Sequence, residues 1–274
     1  MSNRILILGN GFIGQRLKEE LNCSQSSRRI KTFQDALTVI KDYKPKVLIN
    51  CIGYTGKNNV DDCEFAIDKT LSANTFVPLL LAEAALRNNV KLVHTSSGCI
   101  YHYNYPKQKP ITEEHVPDYY NLYYSRTKIY TENVLYELAK RYNILIVRIR
   151  VPLDSKSHPR NILNKLIKYR KVIDVPNSIT YIPDFIKATQ HLIKINARGI
   201  FNVACKGGLR YPQLLDAYRK YHPEFTYKTI HLKQLHLDRT NLILSTKKLQ
   251  KSGFKVRTVQ SVVEECVKEY IKYS

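Results

Sequence analysis

The sequence lacks several features that would assign it to a specialised class of protein. None of its 274 residues lies in an apolar stretch of eighteen, so we expect no membrane-spanning segment and no membrane partner. It has no run of five or six basic residues, which argues against an arm that binds nucleic acid. With 43% hydrophobic and 24% charged residues, the chain is instead expected to bury the core of one large or two small domains.

Cysteines that form a CxxC pair or a zinc-ligand spacing are also missing, so we expect no metal site. The six cysteines are Cys23, Cys51, Cys63, Cys99, Cys205 and Cys266. Free thiols are typical of a reducing compartment. The apolar run near the start, Ile5 to Leu8, is too short for a signal peptide. We therefore expect a cytoplasmic protein.

Positive charge is in excess. The chain has 44 Lys and Arg but only 23 Asp and Glu, which gives a net charge of +21. A field of this sign favours anionic partners such as phosphorylated metabolites or nucleic acid. A basic, Lys-rich proteome is the alternative explanation. Because the basic residues are spread along the chain, we do not expect nucleic acid to be the partner.

Short apolar runs alternate with longer amphipathic ones. This alternation predicts an α/β fold, a Rossmann-type doubly wound parallel sheet built from βαβ units. The expected strands are Arg4–Leu8, Lys46–Cys51, Lys91–Ser96, Ile144–Ile149 and Gly199–Ala204. The expected helices are Ile13–Leu21, Asp35–Tyr43, Thr75–Arg87, Tyr124–Tyr142 and Val259–Tyr273. Thr32 and Asp35 have the spacing of a capping box for the second helix.

The pattern changes after about Arg150, where prolines separate shorter segments. We therefore expect a dinucleotide-binding domain over residues 1–150. A smaller C-terminal substrate-binding region over residues 151–274 is expected to be interleaved with it, because residues 178–205 return to the sheet.

A glycine-rich turn follows the first predicted strand. It reads Gly9-Asn10-Gly11-Phe12-Ile13-Gly14, a GxGxxG pattern that opens a helix. In this pattern the glycines allow a tight turn, close approach of a pyrophosphate and close packing of helix and strand. We therefore predict that these six residues bind a dinucleotide.

The segment Ser26-Ser27-Arg28-Arg29 favours NADPH over NADH. It offers hydroxyls and guanidinium groups where a ribose 2′-phosphate would lie, and arginine suits phosphate. We predict Ser27 and Arg28 as the contacts. Asp35 has the separation of an NAD-type acidic residue, but its place in the first turn of a helix explains it more simply, so NADH stays the alternative.

Four Tyr-x-x-x-Lys patterns compete for a catalytic tyrosine, which needs a lysine one helical turn away to lower its pKa. They start at Tyr103, Tyr105, Tyr124 and Tyr136. Pro106 lies inside the first two and disfavours a helix, and Tyr136 is late in its helix. Tyr124 with Lys128 is the remaining pair. The hydroxyl partner is left open among Thr95, Ser96 and Ser97, at the end of a strand in which His94 is expected to be a core residue.

Several strings resemble the extended short-chain dehydrogenase/reductases of the dTDP-4-dehydrorhamnose reductase group. They are GNGFIG, NCIGYTG (Asn50–Gly56), SSGCIY (Ser96–Tyr101) and YSRTK (Tyr124–Lys128). Within this group the chain is most similar to the bifunctional 3,5-epimerase/4-reductases that make UDP-L-rhamnose in plants and some large DNA viruses. That similarity extends to Asn59–Glu64, Arg148–Pro152, His158–Asn161 and Val172–Ser178.

The resemblance implies roles for individual residues. Ser97 would bind the C4 oxygen of the sugar, Tyr124 would donate a proton to it, and Lys128 would support Tyr124 and contact the nicotinamide ribose. Cys99 and Lys165 would be the acid/base pair of epimerisation, with Lys168 and Lys171 left open as alternatives to Lys165. The further contacts implied are Gly53 for the cofactor, and Thr55, Arg160 and Asn161 for the substrate.

The resemblance also implies the reaction, the conversion of UDP-4-keto-6-deoxy-D-glucose to UDP-L-rhamnose with NADPH. An upstream 4,6-dehydratase would supply the keto sugar, and a homodimer is the assembly that the resemblance suggests. Two alternatives stay open. One is a 4-keto reductase without epimerase activity that acts on dTDP- or GDP-sugars, and the other is a non-catalytic regulatory subunit that binds a dinucleotide.

Overall fold

The computed structural model describes residues 4–105, 107–234 and 239–273. Its first half contains β1 (Ile5–Leu8), α1 (Phe12–Leu21), β2 (Ser24–Ser26), α2 (Phe33–Tyr43), β3 (Val47–Asn50), α3 (Ile67–Leu71), α4 (Val77–Arg87), β4 (Lys91–Ser97), α5 (Tyr123–Ala139) and β5 (Ile144–Ile149). Its second half contains β6 (Pro152–Leu153), α6 (Ile162–Leu166), β7 (Lys171–Ile173), β8 (Thr180–Tyr181), α7 (Ile182–Lys194), β9 (Gly199–Asn202), α8 (Tyr211–Arg219), β10 (Lys228–Ile230), α9 (Lys247–Lys251) and α10 (Val259–Lys272).

In the described residues, six strands form the main sheet in the order β2-β1-β3-β4-β5-β9. Strand β1 pairs in parallel with β2 and β3, and β3 pairs in parallel with β4. The order of connections reverses between β1 and β3, which makes the loops after these strands the topological switch point, where open α/β sheets bind ligands. The predicted parallel α/β sheet is confirmed.

The first of two compact units comprises Met1–Ile100, Val116–Arg148 and Thr189–Phe201. Its apolar core lies where helices α2, α4 and α5 cover one face of the sheet. Strand residues Leu48, Leu92 and Ile146 pack there with helix residues Ala36, Leu81 and Leu135. Because side chains alternate along a strand, the same face continues to the carboxyl ends of the strands. There it becomes polar and buried, with Asn50, His94, Ser96 and Arg148.

A turn of π-helix, Ser72–Phe76, joins α3 to α4. Its residues Asn74 and Thr75 are buried. The hydroxyl of Thr75 donates to the carbonyl of Thr127 (3.0 Å), and the hydroxyl of Thr131 donates to the carbonyl of Asn74 (2.6 Å). The π turn is therefore bonded to the middle of α5. The sequence predicted a regular helix from Thr75 and did not indicate this turn.

The second unit comprises Tyr101–His115, Ile149–Ala188 and Asn202–Ser274. It contains two parallel strand pairs, β7 with β10 and β6 with β8. The core of this unit packs α6 and α8 against the predicted stripe of the last helix, which is buried as expected: Val259, Val262, Val263, Cys266, Val267 and Tyr270.

The predicted helix caps, strands and helix ends agree with the structure except in segments whose sequence pattern is weak. The capping box of α2 is present, since the Thr32 side chain accepts from the Asp35 backbone and the Asp35 side chain accepts in return. Strand β2 was not predicted, because Ser24–Ser26 has no apolar residue. Helix α5 ends at Ala139 rather than Tyr142.

The loop that holds the two rejected Tyr-x-x-x-Lys patterns is not helical over residues 101–105 and 107–110. Pro106, on which that rejection rests, lies outside the described residues. The Tyr103 hydroxyl donates to the carbonyl of Gln108 at 2.7 Å, and the Tyr105 hydroxyl donates to the carbonyl of Pro176. The two tyrosine hydroxyls therefore stabilise the conformation of this loop through hydrogen bonds.

None of the helices in the described part of the chain combines the length and the apolar character needed to cross a bilayer.

Candidate active site

Three glycines shape the turn from β1 to α1. Gly9 has φ of +106°, and a Cβ there would lie 2.8 Å from the carbonyl carbon of Cys51. A Cβ on Gly14 would lie 2.1 Å from the Gly9 oxygen, because α1 packs closely on the turn. A Cβ on Gly11, the N-cap of α1, would meet nothing within 4 Å. The helix N-terminus thus faces open space, which fits the pyrophosphate of a dinucleotide.

Neighbouring side chains hold this turn in place. The Gln25 amide donates to the Gly9 carbonyl at 2.9 Å, and the Gln15 amide donates to the backbone and side-chain oxygens of Asn10, both at 3.2 Å. Phe12 is buried and Ile13 is half-buried. The predicted six-residue segment is therefore held by side-chain hydrogen bonds and by packing.

The predicted phosphate contacts, Ser27 and Arg28, follow β2 directly and are exposed. The Arg28 backbone NH donates to the Ser26 hydroxyl at 3.2 Å, and its guanidinium lies 3.5 Å from the Asp42 carboxylate. Both side chains of this pair are about half exposed, so the pairing is weak. A guanidinium in this position is available to a phosphate at the end of β2.

The loop after β3 is clamped by Asn74 of the π turn. The Asn74 Oδ1 accepts from the Tyr54 NH at 2.8 Å, and its Nδ2 donates to the Tyr54 carbonyl at 3.0 Å and to the Thr127 hydroxyl at 3.2 Å. A Cβ on Gly53 would lie 3.3 Å from Asn74 Oδ1 and 3.5 Å from the Lys128 Nζ. The predicted residues Gly53 and Lys128 are therefore brought together, while Thr55 is half-buried two residues on.

The turn after β4 is bonded to the start of α5. The Cys99 NH donates to the Ser97 hydroxyl at 3.1 Å, and the Ser125 hydroxyl donates to the Cys99 carbonyl at 2.6 Å. Ser125 is adjacent to Tyr124, which is 6% exposed. The structure thus joins the predicted hydroxyl, thiol and phenol residues through neighbouring backbone. Ser125 is a residue of this site that the sequence reasoning missed.

Helix α5 itself begins with a carboxylate supplied from another element. The Tyr123 NH donates to Glu64 Oε1 at 2.5 Å, and the Arg126 guanidinium is 3.4 Å from Glu64 Oε2. A carboxylate at a helix N-terminus stabilises the unsatisfied NH groups there. Glu64 therefore fixes the first turn, which carries Tyr124.

Lys128 is almost fully buried, with 4% of its surface exposed. Burial lowers the pKa of Lys128 to about 8, and the carboxylate of Glu132 works in the opposite direction. Perturbation of this kind is typical of functional lysines. His94 lies nearby and is buried. Its Nδ1 is 3.1 Å from Asn50 Nδ2, whereas its Nε2 has no partner among the described residues, so the expected core histidine is half satisfied.

The remaining predicted residues belong to the second unit. Lys165, in α6, is half-buried, and its pKa is lowered by burial and by the cations of Arg160 and Arg239. Lys168 and Lys171 are exposed. The surroundings thus favour Lys165 among the three lysines as a proton carrier.

Asn161 was predicted as a substrate contact, but its side chain is buried and bonded to the protein backbone. It is fully buried, its Nδ2 donates to the carbonyls of Asp154 (2.7 Å) and Lys156 (3.0 Å), and its Oδ1 accepts from the Leu163 NH as the N-cap of α6. The geometry favours an ordering role for Asn161 over the substrate contact expected from sequence. The described residues contain no cluster of three or more His, Cys, Asp or Glu that could hold a metal ion.

Comparison with known proteins identifies the family to which this chain belongs. Residues 3–188 match the RmlD substrate binding domain. The chain belongs to this family. A relative in Arabidopsis thaliana, the bifunctional dTDP-4-dehydrorhamnose 3,5-epimerase/dTDP-4-dehydrorhamnose reductase, is 32% identical over 232 residues, which are 82% of this chain and 76% of that protein. The resemblance inferred from the motifs to the dTDP-4-dehydrorhamnose reductase group is confirmed.

Two further relatives extend the comparison. The trifunctional UDP-glucose 4,6-dehydratase/UDP-4-keto-6-deoxy-D-glucose 3,5-epimerase/UDP-4-keto-L-rhamnose-reductase of Arabidopsis thaliana is 31% identical over 267 residues, which are 91% of this chain but 39% of that protein. The chain therefore spans about two fifths of this relative. The crystal structure of the L780 UDP-rhamnose synthase from Acanthamoeba polyphaga mimivirus superposes with a TM-score of 0.90 at 25% identity and covers 97% of this chain and 98% of that one.

Proposed function

We propose that this member of the family is an NADPH-dependent 3,5-epimerase/4-reductase that converts UDP-4-keto-6-deoxy-D-glucose to UDP-L-rhamnose. The observation that carries the proposal is the bond from the Ser125 hydroxyl to the Cys99 carbonyl, because it ties the turn that carries Ser97 and Cys99 to the first turn of the helix that carries Tyr124. A simple ketone reductase needs the hydroxyl and the phenol and has no use for the thiol. The names of the two Arabidopsis relatives contain the same pair of reactions, and the trifunctional relative and the mimivirus protein are named for a UDP-sugar and for UDP-rhamnose.

The reduction uses the residues at the start of α5. NADPH supplies the hydride that reduces C4 of the sugar. Ser97 and Tyr124 hydrogen-bond the C4 oxygen, and Tyr124 gives up its phenolic proton as that oxygen becomes an alkoxide. Lys128, held as an ammonium, stabilises the phenolate that remains. Solvent then returns the proton to Tyr124.

The epimerisation uses the same oxygen and two proton carriers. A 4-keto group acidifies the hydrogens on C3 and C5, so removal of either one gives an enolate whose charge lies on the C4 oxygen. Ser97 and Tyr124 stabilise this charge in the same way as that of the alkoxide. Cys99 and Lys165 are the proton carriers that we propose, and the lowered pKa of Lys165 supports its choice over Lys168 and Lys171.

The first unit is proposed to bind NADPH and the second to bind the nucleotide sugar. The glycine turn, Gly53 and Lys128 supply the dinucleotide contacts, and Ser27 with Arg28 supply the contacts for the 2′-phosphate. Arg160, with its guanidinium near Lys165, and Thr55 are the proposed substrate contacts. The substrate itself is a keto sugar, so a separate 4,6-dehydratase is proposed to supply it.

The test is turnover of UDP-4-keto-6-deoxyglucose with NADPH in heavy water. Absorbance at 340 nm follows NADPH oxidation, and mass spectrometry or NMR locates deuterium in the product. We expect oxidation of NADPH together with deuterium at both C3 and C5. Oxidation without deuterium would instead identify a 4-reductase, and bound NADPH without turnover would identify a regulatory subunit.

Variants then assign the residues. Tyr124→Phe is expected to lower the reduction rate by about 10²- to 10⁴-fold, the usual contribution of a general acid. Inversion of a ring carbon needs a base on one face of the ring and an acid on the other, so Cys99→Ser and Lys165→Ala are each expected to prevent inversion, and the deuterium that accompanies it, at both C3 and C5. Lys168→Ala is the matched control for Lys165, since it changes an exposed lysine three residues further along the chain. A loss of deuterium in this control would contradict the assignment of Lys165.

We also propose that the protein is a homodimer. Phe76, Tyr130 and Val134 expose 54%, 45% and 44% of their surfaces, and Tyr130 and Val134 are one turn apart on α5. A second copy of the chain would cover this apolar face. Light scattering is expected to give a dimer mass for the wild type and a monomer mass for Val134→Lys. Val116→Lys, at a more exposed valine, is the control and is expected to remain dimeric.

Location in the cytoplasm is proposed from the thiols. All six cysteines are free in the structure, as a reducing compartment requires. Protein taken from cells under acid quench and then alkylated in denaturant should react at six thiols. Fewer reactive thiols would indicate disulfides and an oxidising compartment.

A further inference from the structure

Three side chains of α5 form a buried row on one face of the helix. Tyr124, Lys128 and Glu132 follow each other at intervals of four residues, so they lie one turn apart. They are 6%, 4% and 2% exposed. The proposed function uses the first two and gives no role to Glu132, although a carboxylate buried to this degree needs partners.

Glu132 is held by the polar ends of two strands. The Ser96 hydroxyl of β4 donates to Glu132 Oε2 at 2.7 Å. The Arg148 Nε of β5 donates to Oε1 at 2.9 Å and to Oε2 at 3.1 Å, and its terminal nitrogen donates to Oε1 as well. Arg148 is 1% exposed, so this is a fork of charge-assisted bonds away from water. The carboxylate is thereby fixed in position.

Several ionisable groups of the described residues act on Lys128. They are Tyr124 and Glu132 on α5, Cys51 after β3, Cys63 in the 3₁₀ turn Val60–Cys63, His94 on β4 and Cys99 after β4. Burial raises the pKa of the Cys51 thiol to about 12 and holds the pKa of His94 well below its ordinary value, so these two groups are neutral near pH 7. Burial opposes the charge of Lys128, and Glu132 is the strongest of the groups that support it.

We propose that Glu132 is a positioning residue that keeps Lys128 an ammonium at the pH of the reduction, and that Arg148 sets how strongly it does so. The inference rests on the role of Lys128 in the proposed function. Glu132 lies about 6 Å along the helix from Lys128, close enough for its charge to act in a buried setting. Arg148 lies against the same carboxylate and partly offsets that charge. The buried pair of Glu132 and Arg148 therefore controls the charge state of Lys128, and it also links α5 to the sheet.

This arrangement predicts opposite effects for the two members of one ion pair. Glu132→Gln keeps the shape of the side chain, removes the negative charge and leaves the Arg148 cation, so Lys128 should lose its proton at lower pH. Arg148→Gln leaves the carboxylate without its partner, so Lys128 should keep its proton to higher pH. Loss of structure alone has no reason to move the titration of Lys128 in opposite directions.

The experiment follows Lys128 directly in protein that contains neither NADPH nor sugar. Lysine is labelled with ¹³C at Cε, and its NMR signal is followed from pH 6 to pH 11. The Lys128 signal is identified by its absence from Lys128→Arg. We expect the Lys128 midpoint to fall by about one pH unit in Glu132→Gln and to rise by about one in Arg148→Gln. Shifts in the same direction, or no shift, would overturn the proposal.

Two references make the result specific. Lys91, at the other end of β4, is also buried, and its pKa is lowered by burial to about 8, so its signal titrates in the same window. Its midpoint should stay in place in both variants. Glu137→Gln removes an exposed carboxylate from the same helix, one that pairs with Lys140, and should leave Lys128 unchanged.

A double variant covers the case in which a broken ion pair prevents folding. Glu132→Gln/Arg148→Gln removes both charges of the pair, so neither of its members is left as an unpaired buried ion. Because this variant also removes the Arg148 cation, which disfavours the ammonium, the midpoint should fall by less than in Glu132→Gln, about half a unit. An unchanged midpoint in this variant would also overturn the proposal.

Turnover provides a separate arm. Where the variants are active, the alkaline limb of the pH profile for NADPH oxidation should move with the NMR midpoint of Lys128. If the alkaline limb stays in place while the NMR midpoint of Lys128 moves, the charge that Glu132 maintains on Lys128 does not control the rate of reduction. If no turnover occurs with any keto sugar, the proposed function fails, and the NMR titration still decides whether Glu132 sets the charge of Lys128.

Discussion

The hydroxyl of Ser125 lies 2.6 Å from the backbone oxygen of Cys99 and donates a hydrogen bond to it. Since Ser125 follows Tyr124, this one bond fixes the thiol-bearing turn to the helix that bears the phenol. Ser125→Ala leaves that turn less constrained. We expect deuterium incorporation in heavy water to slow by about tenfold, because small displacements of reacting groups are costly. NADPH affinity should be unchanged.

The control for Ser125 is Ser261→Ala. The Ser261 hydroxyl makes the same kind of bond, to the Thr258 carbonyl at 2.9 Å, on the exposed first turn of α10. Each variant should lose about 1 kcal/mol of unfolding free energy, the usual net value of one hydrogen bond. A similar loss of deuterium incorporation in both variants would show that general stability, and not the Cys99 turn, explains the effect.

Gly11 and Gly14 are expected to respond differently to the same change. A Cβ on Gly14 would lie 2.1 Å from the Gly9 oxygen, so Gly14→Ala should lower the melting temperature. A Cβ on Gly11 meets no protein atom within 4 Å, so Gly11→Ala should leave it unchanged. Both variants should bind NADPH at least tenfold more weakly in a fluorescence titration, because the pyrophosphate must approach Gly11 closely. Full affinity in a stable Gly11→Ala would contradict the placement of the pyrophosphate.

Arg28 should decide which dinucleotide is preferred. Arg28→Ala removes the guanidinium at the end of β2, and we expect KM for NADPH to rise by roughly ten- to a hundredfold, the value of a charge-assisted bond. KM for NADH should stay within about twofold. Arg87→Ala changes an exposed arginine of α4 that pairs with Glu83 and is the matched control. An equal rise for both cofactors in Arg28→Ala would argue against a 2′-phosphate contact.

The sequence predicted the parts of this fold that depend on apolar patterns. Strands β1, β3, β4 and β5 each contain a run of apolar residues and were located to within a residue at each end. Strand β2 was missed because Ser-Gln-Ser has no apolar residue, although it pairs with β1 at the edge of the sheet. The π turn was missed because its geometry depends on side-chain bonds to α5, whose partners are distant in sequence.

Parts of the site were missed although signals for them were present. Glu132 continues the spacing of Tyr124 and Lys128 by one more turn, and Ser96 and Arg148 interrupt the ends of apolar strands. Polar residues at these positions must find partners when the sheet is covered by helices. The identity of those partners, and the use of Asn161 as an N-cap, follow from tertiary contacts that spacing does not contain.

The stability of the protein should depend on pH through Lys91. Its ammonium donates to Asn143 Oδ1 (2.7 Å), Asn196 Oδ1 (3.2 Å) and the Ala197 carbonyl (2.7 Å), and burial lowers its pKa to about 8. In the unfolded chain the pKa returns to about 10.4. Between these values the unfolded state binds more protons, so this group stabilises the fold increasingly as pH rises from about 8 to about 10.4.

The measurement for Lys91 compares the wild type with Lys91→Met by urea unfolding at pH 7 and pH 10. The difference in unfolding free energy between the two proteins should grow by about 2 to 3 kcal/mol in favour of the wild type at pH 10. Taking the difference cancels the titration of tyrosines and cysteines, which both proteins share. A difference that does not vary with pH would contradict the lowered pKa.

The π turn at Ser72–Phe76 has a consequence for the length of the chain. A π turn is equivalent to one extra residue inserted into an α-helix. Deleting a residue there would restore regular helical winding, yet it would rotate the preceding residues by about 100° about the axis, since 3.6 residues make one turn. Asn74 would then swing away from the Tyr54 backbone that it clamps. The function of the segment therefore depends on the number of its residues as well as on their types, and a deletion there would break the clamp on the Tyr54 backbone even if every clamping side chain were kept.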